Sequence, residues 1–212
     1  MKDHLKYRAV LIEIKKRTQV LDRLIEGSID IMFPATTVET CCLQVRKIIE
    51  LITFSSLIAS KDEYSAVQAK FAQHWNSKLI IADLERIHPN FYPQPVLQVD
   101  SERPGITHDL LPRGDDYLTK DELIAAYEEC GGMMHAENPF GKKKDYVAYE
   151  TKIKGWRNKI VNLLNVHIVT LIGDPRMYLF QMGTDNSPPL YTPFGLVDED
   201  NPNKRKRSKH RS

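Results

Sequence analysis

The chain has 212 residues, 42% hydrophobic and 27% charged, a balance that excludes wholesale disorder and suits one well-buried core better than two full domains. Its net charge of +2 conceals a division: six of the 30 lysines and arginines are Lys204, Arg205, Lys206, Arg207, Lys209 and Arg211, so residues 1–203 carry 24 basic against 28 acidic side chains, a net of −4. A basic body built for nucleic acid is thereby excluded, and phosphate attraction is confined to the tail.

In chain order, Lys2 to Glu26 read as an amphipathic helix, with Leu5, Val10, Leu11, Ile14, Val20, Leu21, Leu24 and Ile25 near helical spacing and Gly27 as the stop. Phe33-Pro34 turns the chain into a second helix over Thr36–Ser60, where Val38, Cys41, Cys42, Val45, Ile48, Ile49 and Ile52 form one broad stripe. Leu43, Leu51, Phe54 and Ile58 cover much of the opposite face, and a helix apolar nearly all round belongs at the centre of a fold. Thr36 and Glu39 match a capping box. The narrow polar strip Arg46, Glu50 and Thr53 reads as a solvated edge or a pairing with a neighbouring helix.

Residues 61–75 and 77–88 predict two more helices, the second ended by Pro89. From Pro89 to Asp116, five prolines and two glycines read as a surface excursion holding one short strand at most, at Pro95–Val99. Thr119 and Glu122 form a second capping box, opening a helix that Gly131 and Gly132 close. Another helix runs from about Asp145 to Asn165, with Tyr149, Ile153, Trp156, Ile160, Leu163 and Leu164 on one face.

The segments 167–172 and 176–182 flank Gly173-Asp174-Pro175 and predict a hairpin, with a third extended piece around Leu190–Leu196. The expected fold is therefore mainly α: a bundle of five or six helices in a single domain over 1–197, with a small C-terminal β-hairpin at about 166–196. Residues 198–212 hold no apolar side chain and read as a disordered basic tail.

No run of 18 uncharged apolar residues and no N-terminal signal segment is present, so no membrane partner is expected and the chain reads as cytoplasmic. Three cysteines, Cys41, Cys42 and Cys130, form no disulfide framework and fit reduced thiols. Phosphate-loop, dinucleotide, zincin and paired-cysteine patterns are all missing, and Cys130 with His135 is too few ligands for structural zinc, so no cofactor or metal is expected. His135 stands out, between a double glycine and an Asn-Pro turn. Its imidazole suits a general base or an anion contact, or else a buried histidine that fixes the loop by hydrogen bonds.

The long helix with Leu43, Val45, Arg46, Ile48 and Glu50, and Arg157-Asn158 late in the last helix, resemble the HEPN (higher eukaryotes and prokaryotes nucleotide-binding) superfamily over roughly residues 36–165. That resemblance implies a helical bundle. Many members are metal-independent ribonucleases of toxin–antitoxin and phage-defence systems, and others are non-catalytic. Their signature is an arginine, often followed by asparagine, with a histidine after four to six residues on the same helix. Here Asn162 occupies the nearest histidine position and His167 lies too far on, while Arg103 with His108 and Arg205 with His210 match only in a loop and in the tail.

Asparagine exchanges no proton near neutral pH. The expectation is thus a non-catalytic protein binding RNA or another nucleic acid through the tail, or a protein partner or second copy. The alternative is a metal-independent endoribonuclease using Arg157 with His135, beside Asn158 and Asn162.

Overall fold

The structure is a computed structural model that describes residues 3–58, 81–82, 85–86, 89–171 and 174–195. Helix α1 (Asp3–Ile25) and helix α2 (Pro34–Ile58) lead into strands β1 (Gln94–Asp100) and β2 (His108–Pro112). Helices α3 (Lys120–Met133) and α4 (Tyr146–Leu164) follow, then strands β3 (Val166–Thr170), β4 (Met177–Gln181) and β5 (Leu190–Phe194). The helices expected over 61–88 lie outside the described residues except at 81–82 and 85–86, which are helical. The basic tail lies outside them as well.

Helix α2 buries the stripe its sequence announces, with Val38, Cys41, Cys42, Val45, Ile48, Ile49 and Ile52 almost fully removed from solvent. It packs against α1, α3 and α4. Each buried isoleucine or valine contributes about 1.5–3 kcal/mol relative to exposure. The opposite face is less enclosed than its composition suggests, since Leu43 and Phe54 remain partly exposed. The polar strip is no solvated edge: Arg46 lies 3.6 Å above the Tyr127 ring and donates to the Tyr127 carbonyl at 2.8 Å, and Thr53 is buried against the Ile49 carbonyl. Helix α1 ends as expected, with Gly27 left-handed at φ 72° and the Ser28 N–H bonded back to the Arg23 carbonyl at 3.0 Å.

The expected bundle of five or six helices with a small hairpin is overturned by a five-stranded antiparallel sheet in the order β2-β1-β3-β4-β5, beside four helices among the described residues. The Pro89–Asp116 segment is a hairpin and not an irregular excursion. Its turn is Arg103-Pro104-Gly105-Ile106, with Gly105 at φ 79° and the Ile106 N–H donating to the Arg103 carbonyl at 3.1 Å.

Strand β1 joins β3 through Gln94 and Pro95 opposite Ile168 and His167, which carries the predicted hairpin into a continuous sheet. The expected third extended piece is β5, paired with β4 from Met177↔Phe194 to Gln181↔Leu190. A second correction concerns Thr36. It lies inside the first turn of α2, and its hydroxyl donates to the carbonyls of Ile31 and Phe33 instead of capping with Glu39. The box at Thr119 and Glu122 forms as expected.

One hydrophobic cluster unites helices and sheet. Alternate residues of β3 and β4 point inward, and Tyr7 of α1 meets Phe180 with ring centres 4.6 Å apart. Beside them His167 is wholly buried, and its Nδ1 donates to the Leu164 carbonyl at 2.8 Å, because that carbonyl can only accept. Nε2 is therefore the acceptor for the Tyr7 hydroxyl, 3.0 Å away. Burial lowers the His167 pKa to about 4, from 6.5.

In the unfolded chain this imidazole takes its proton near 6.5, so its neutral burial stabilises the fold fully above that pH and progressively less from there down to 4. Roughly 3 kcal/mol is lost across the window. NMR titration is expected to find one of the seven histidines still neutral at pH 5, in parallel with a thermal midpoint that falls below pH 6.5. A full set of histidines titrating near 6.5 would contradict this account.

Candidate functional site

Helix α4 carries three of the four candidate catalytic residues. Asp145 opens it, its carboxylate accepting from the Ala148 N–H at 2.9 Å, and Ile153, Ile160, Leu163 and Leu164 turn into the core. Arg157 and Asn162 stand five positions apart, so their side chains diverge by about 140° around the helix. They consequently face different neighbours.

The Arg157 guanidinium grips Asp22 of α1 by two parallel hydrogen bonds, Nε to Oδ1 at 2.5 Å and Nη2 to Oδ2 at 2.9 Å. Its remaining fork reaches Asn158 Oδ1 at 3.2 Å, and the Asp22 hydrogen bonds raise its pKa still further. On the other side of α4, Asn162 Nδ2 donates to the Asp116 carbonyl at 2.8 Å and to the Asp116 carboxylate at 3.0 Å. That carboxylate also holds Arg113, whose hydrogen bonds keep its pKa low.

His135 belongs to neither group. It lies just past the end of α3, exposed and without a side-chain partner among the described residues, so it is not the buried, loop-fixing histidine that the sequence allowed. The loop leads into α4 at Tyr146, and Arg157 stands eleven residues beyond, roughly 17 Å along the helix axis. The structure thus brings Arg157 and Asn158 together, turns Asn162 away from them, and leaves His135 at the far end of α4.

A pocket between α1, α4 and the β4–β5 connection includes Arg157, Asp22, Lys15 and Asn165. Its cations are committed to the protein. Lys15 donates to the carbonyls of Met182 and Ser187, both at 2.7 Å, and to that of Thr184. Arg8 and Gln19 on the same face of α1 donate to the carbonyls of Pro189 and Asp185. This seam fastens α1 to the sheet, and Arg8, Lys15 and Arg157 are held by the protein's own acceptors.

Sequence reasoning missed the surface on which His135 actually sits. Lys144 staples the end of α3, donating to the Met133 carbonyl at 2.7 Å and to that of His135. Asn138 then folds the next turn: its Oδ1 accepts from the Phe140 N–H at 3.0 Å, and its carbonyl from the Gly141 N–H at 2.9 Å. Phe140 emerges 97% exposed, followed by the exposed Lys142 and Lys143, which have no partner among the described residues. An aromatic between an Asn-Pro and a triple lysine was the available signal.

Among the described residues, no cluster of histidine, cysteine or acidic side chains could hold a metal ion, and no helix is long and apolar enough to cross a membrane. The candidate nucleic-acid contacts Lys204, Arg205, Lys206, Arg207, Lys209 and Arg211 lie outside the described residues. Comparison with family models, with curated proteins and with solved structures finds no match to this chain.

The Arg157–Asp22 pair is about two-thirds buried on both sides. A double-mutant cycle over Arg157→Ala and Asp22→Ala, read by urea denaturation, is expected to give a coupling of about 1 kcal/mol, at the upper end for a surface pair because the contact is bidentate. Strict additivity would mean that the guanidinium is not held there in solution.

Proposed function

We propose that this chain is a non-catalytic binding protein that engages RNA, with the basic segment Lys204–Arg211 supplying phosphate attraction. The observation that carries the reading is the commitment of Arg157 to Asp22, with no histidine among the described residues that line the pocket around them. Metal-independent RNA cleavage needs one group to take the 2′-hydroxyl proton and another to stabilise the leaving oxygen. Arginine stays protonated, and Asn162 is bonded elsewhere and exchanges no proton.

His167 is enclosed with both ring nitrogens occupied. His135 lies in the loop before α4, whose first residue Tyr146 is already roughly 17 Å along the helix axis from Arg157, which weighs against a ribonuclease built from those two. The three free cysteines, all buried, fit a reducing compartment such as the cytoplasm. The HEPN resemblance is not needed for this reading, which rests on side-chain commitments within the fold itself.

Purified protein with labelled single-stranded RNA and a chelator is expected to bind and not to cleave. Asn162→His is expected to stay inactive, because Asp22 still holds the guanidinium and the new imidazole points away from it. Cleavage by the parent chain, lost in both Arg157→Ala and His135→Ala, would establish the ribonuclease instead. Removing the residues after Val197 is expected to leave the thermal midpoint unchanged, weaken RNA binding and reduce the salt slope by roughly 4, about 0.7 for each of six cations. An unchanged slope would rule out the tail as the phosphate contact.

A further inference from the structure

We propose that the α3–α4 loop is a binding site for unpaired nucleobases, with Phe140 as the stacking platform and Lys142 and Lys143 as contacts to the flanking phosphates. This deepens the RNA-binding reading and rests on it. A run of lysines and arginines attracts any phosphate chain but offers no flat surface for a base, so the tail gives affinity without preference for single strands. The loop has the missing element.

Three observations support the assignment. Phe140 is the most exposed large apolar side chain among the described residues, at 97%, so its ring face meets solvent and not the core. The backbone that carries it is also held in place: the Asn138 side chain and carbonyl fix the turn around it, and Lys144 closes the loop onto the end of α3. A platform positioned before binding loses little freedom when a base stacks on it.

The charges around it are divided by role. Lys144 is spent on carbonyls and Asp145 on capping α4. Lys142 and Lys143 remain exposed and unpaired among the described residues. Glu137 is the exposed acid of the loop, on the opposite side of Phe140 in sequence from the lysines. His135, also exposed, adds a second ring with hydrogen-bonding edges two residues before Glu137. An aromatic followed by paired cations is the combination that tracks a single strand, since every base has a face to stack and every linkage a phosphate.

The test is fluorescence anisotropy with the full chain, a labelled oligouridine and a hairpin duplex of equal charge, over a series of salt concentrations. The parent is expected to prefer the single strand. Phe140→Ala is expected to weaken oligouridine binding about tenfold and leave duplex binding unchanged, whereas Phe140→Trp retains the preference. Lys142→Glu with Lys143→Glu is expected to lower the salt slope by roughly 1.4.

All three positions are exposed, so folding is not at stake, and circular dichroism of each variant checks this. If the parent binds oligouridine but Phe140→Ala binds it equally well, the loop assignment fails and the RNA-binding reading stands. If the parent binds neither probe at low salt, both fail. If Phe140→Ala instead dissociates a dimer in sedimentation without altering oligouridine affinity, the loop is a self-association surface and the proposal is overturned.

Discussion

Burial of the Val38–Ile52 stripe of α2 is the constraint from which the rest of the arrangement follows. A stripe this broad needs cover from several directions, and α1, α3 and α4 supply it. Once α1 lies against α2, its polar residues Arg8, Lys15, Gln19 and Asp22 fall on a shared edge, spaced by seven, four and three positions. Those side chains meet the β4–β5 connection and α4, which ties the sheet to the helices. Tyr7 completes the junction from the apolar side, against Phe180 and His167.

Most of the helical part was legible because its period of about 3.6 residues is local information. Both ends of α1 and the start of α2 fall within about two residues of their signals, and the cap at Thr119 forms as written. The cap at Thr36 did not form because the Ile31 and Phe33 carbonyls compete for its hydroxyl, and a pairing rule between residues three apart does not register them. The sheet was hidden for a different reason. In β1 only Val96 is buried, and no residue of β2 is, so neither shows the apolar alternation of a half-buried strand. Pro95 and Pro112 further disguise both strands, and β3, the second partner of β1 beside β2, lies some seventy positions away in sequence.

The candidate site was legible in its residue types and not in its connections. Arg157 could be found beside Asn158, but its partner Asp22 stands 135 positions earlier in the chain. The divergence of Arg157 and Asn162 follows from helix geometry alone, whereas the Asp116 contacts that fix Asn162 on its own side of α4 required the fold. The same holds for Arg46, whose role over the Tyr127 ring no charge pattern reveals. Polar groups that looked available in the sequence, Arg46, Arg157 and Asn162, prove to be structural fasteners.

The loop between α3 and α4 carries side chains that the fold does not use. The turn at Asn138–Gly141 is stabilised by its own hydrogen bonds and by Lys144, none of which uses the Phe140 side chain. The ring could be removed without loosening the turn, and its exposure forgoes about 1.5–3 kcal/mol that burial of a phenylalanine would contribute. Folding therefore gives no reason for a large aromatic at the tip, where a small polar residue would serve the turn equally well. The turn fixes the backbone that carries the ring and leaves the ring itself to solvent, which is the feature on which the proposed base stacking rests.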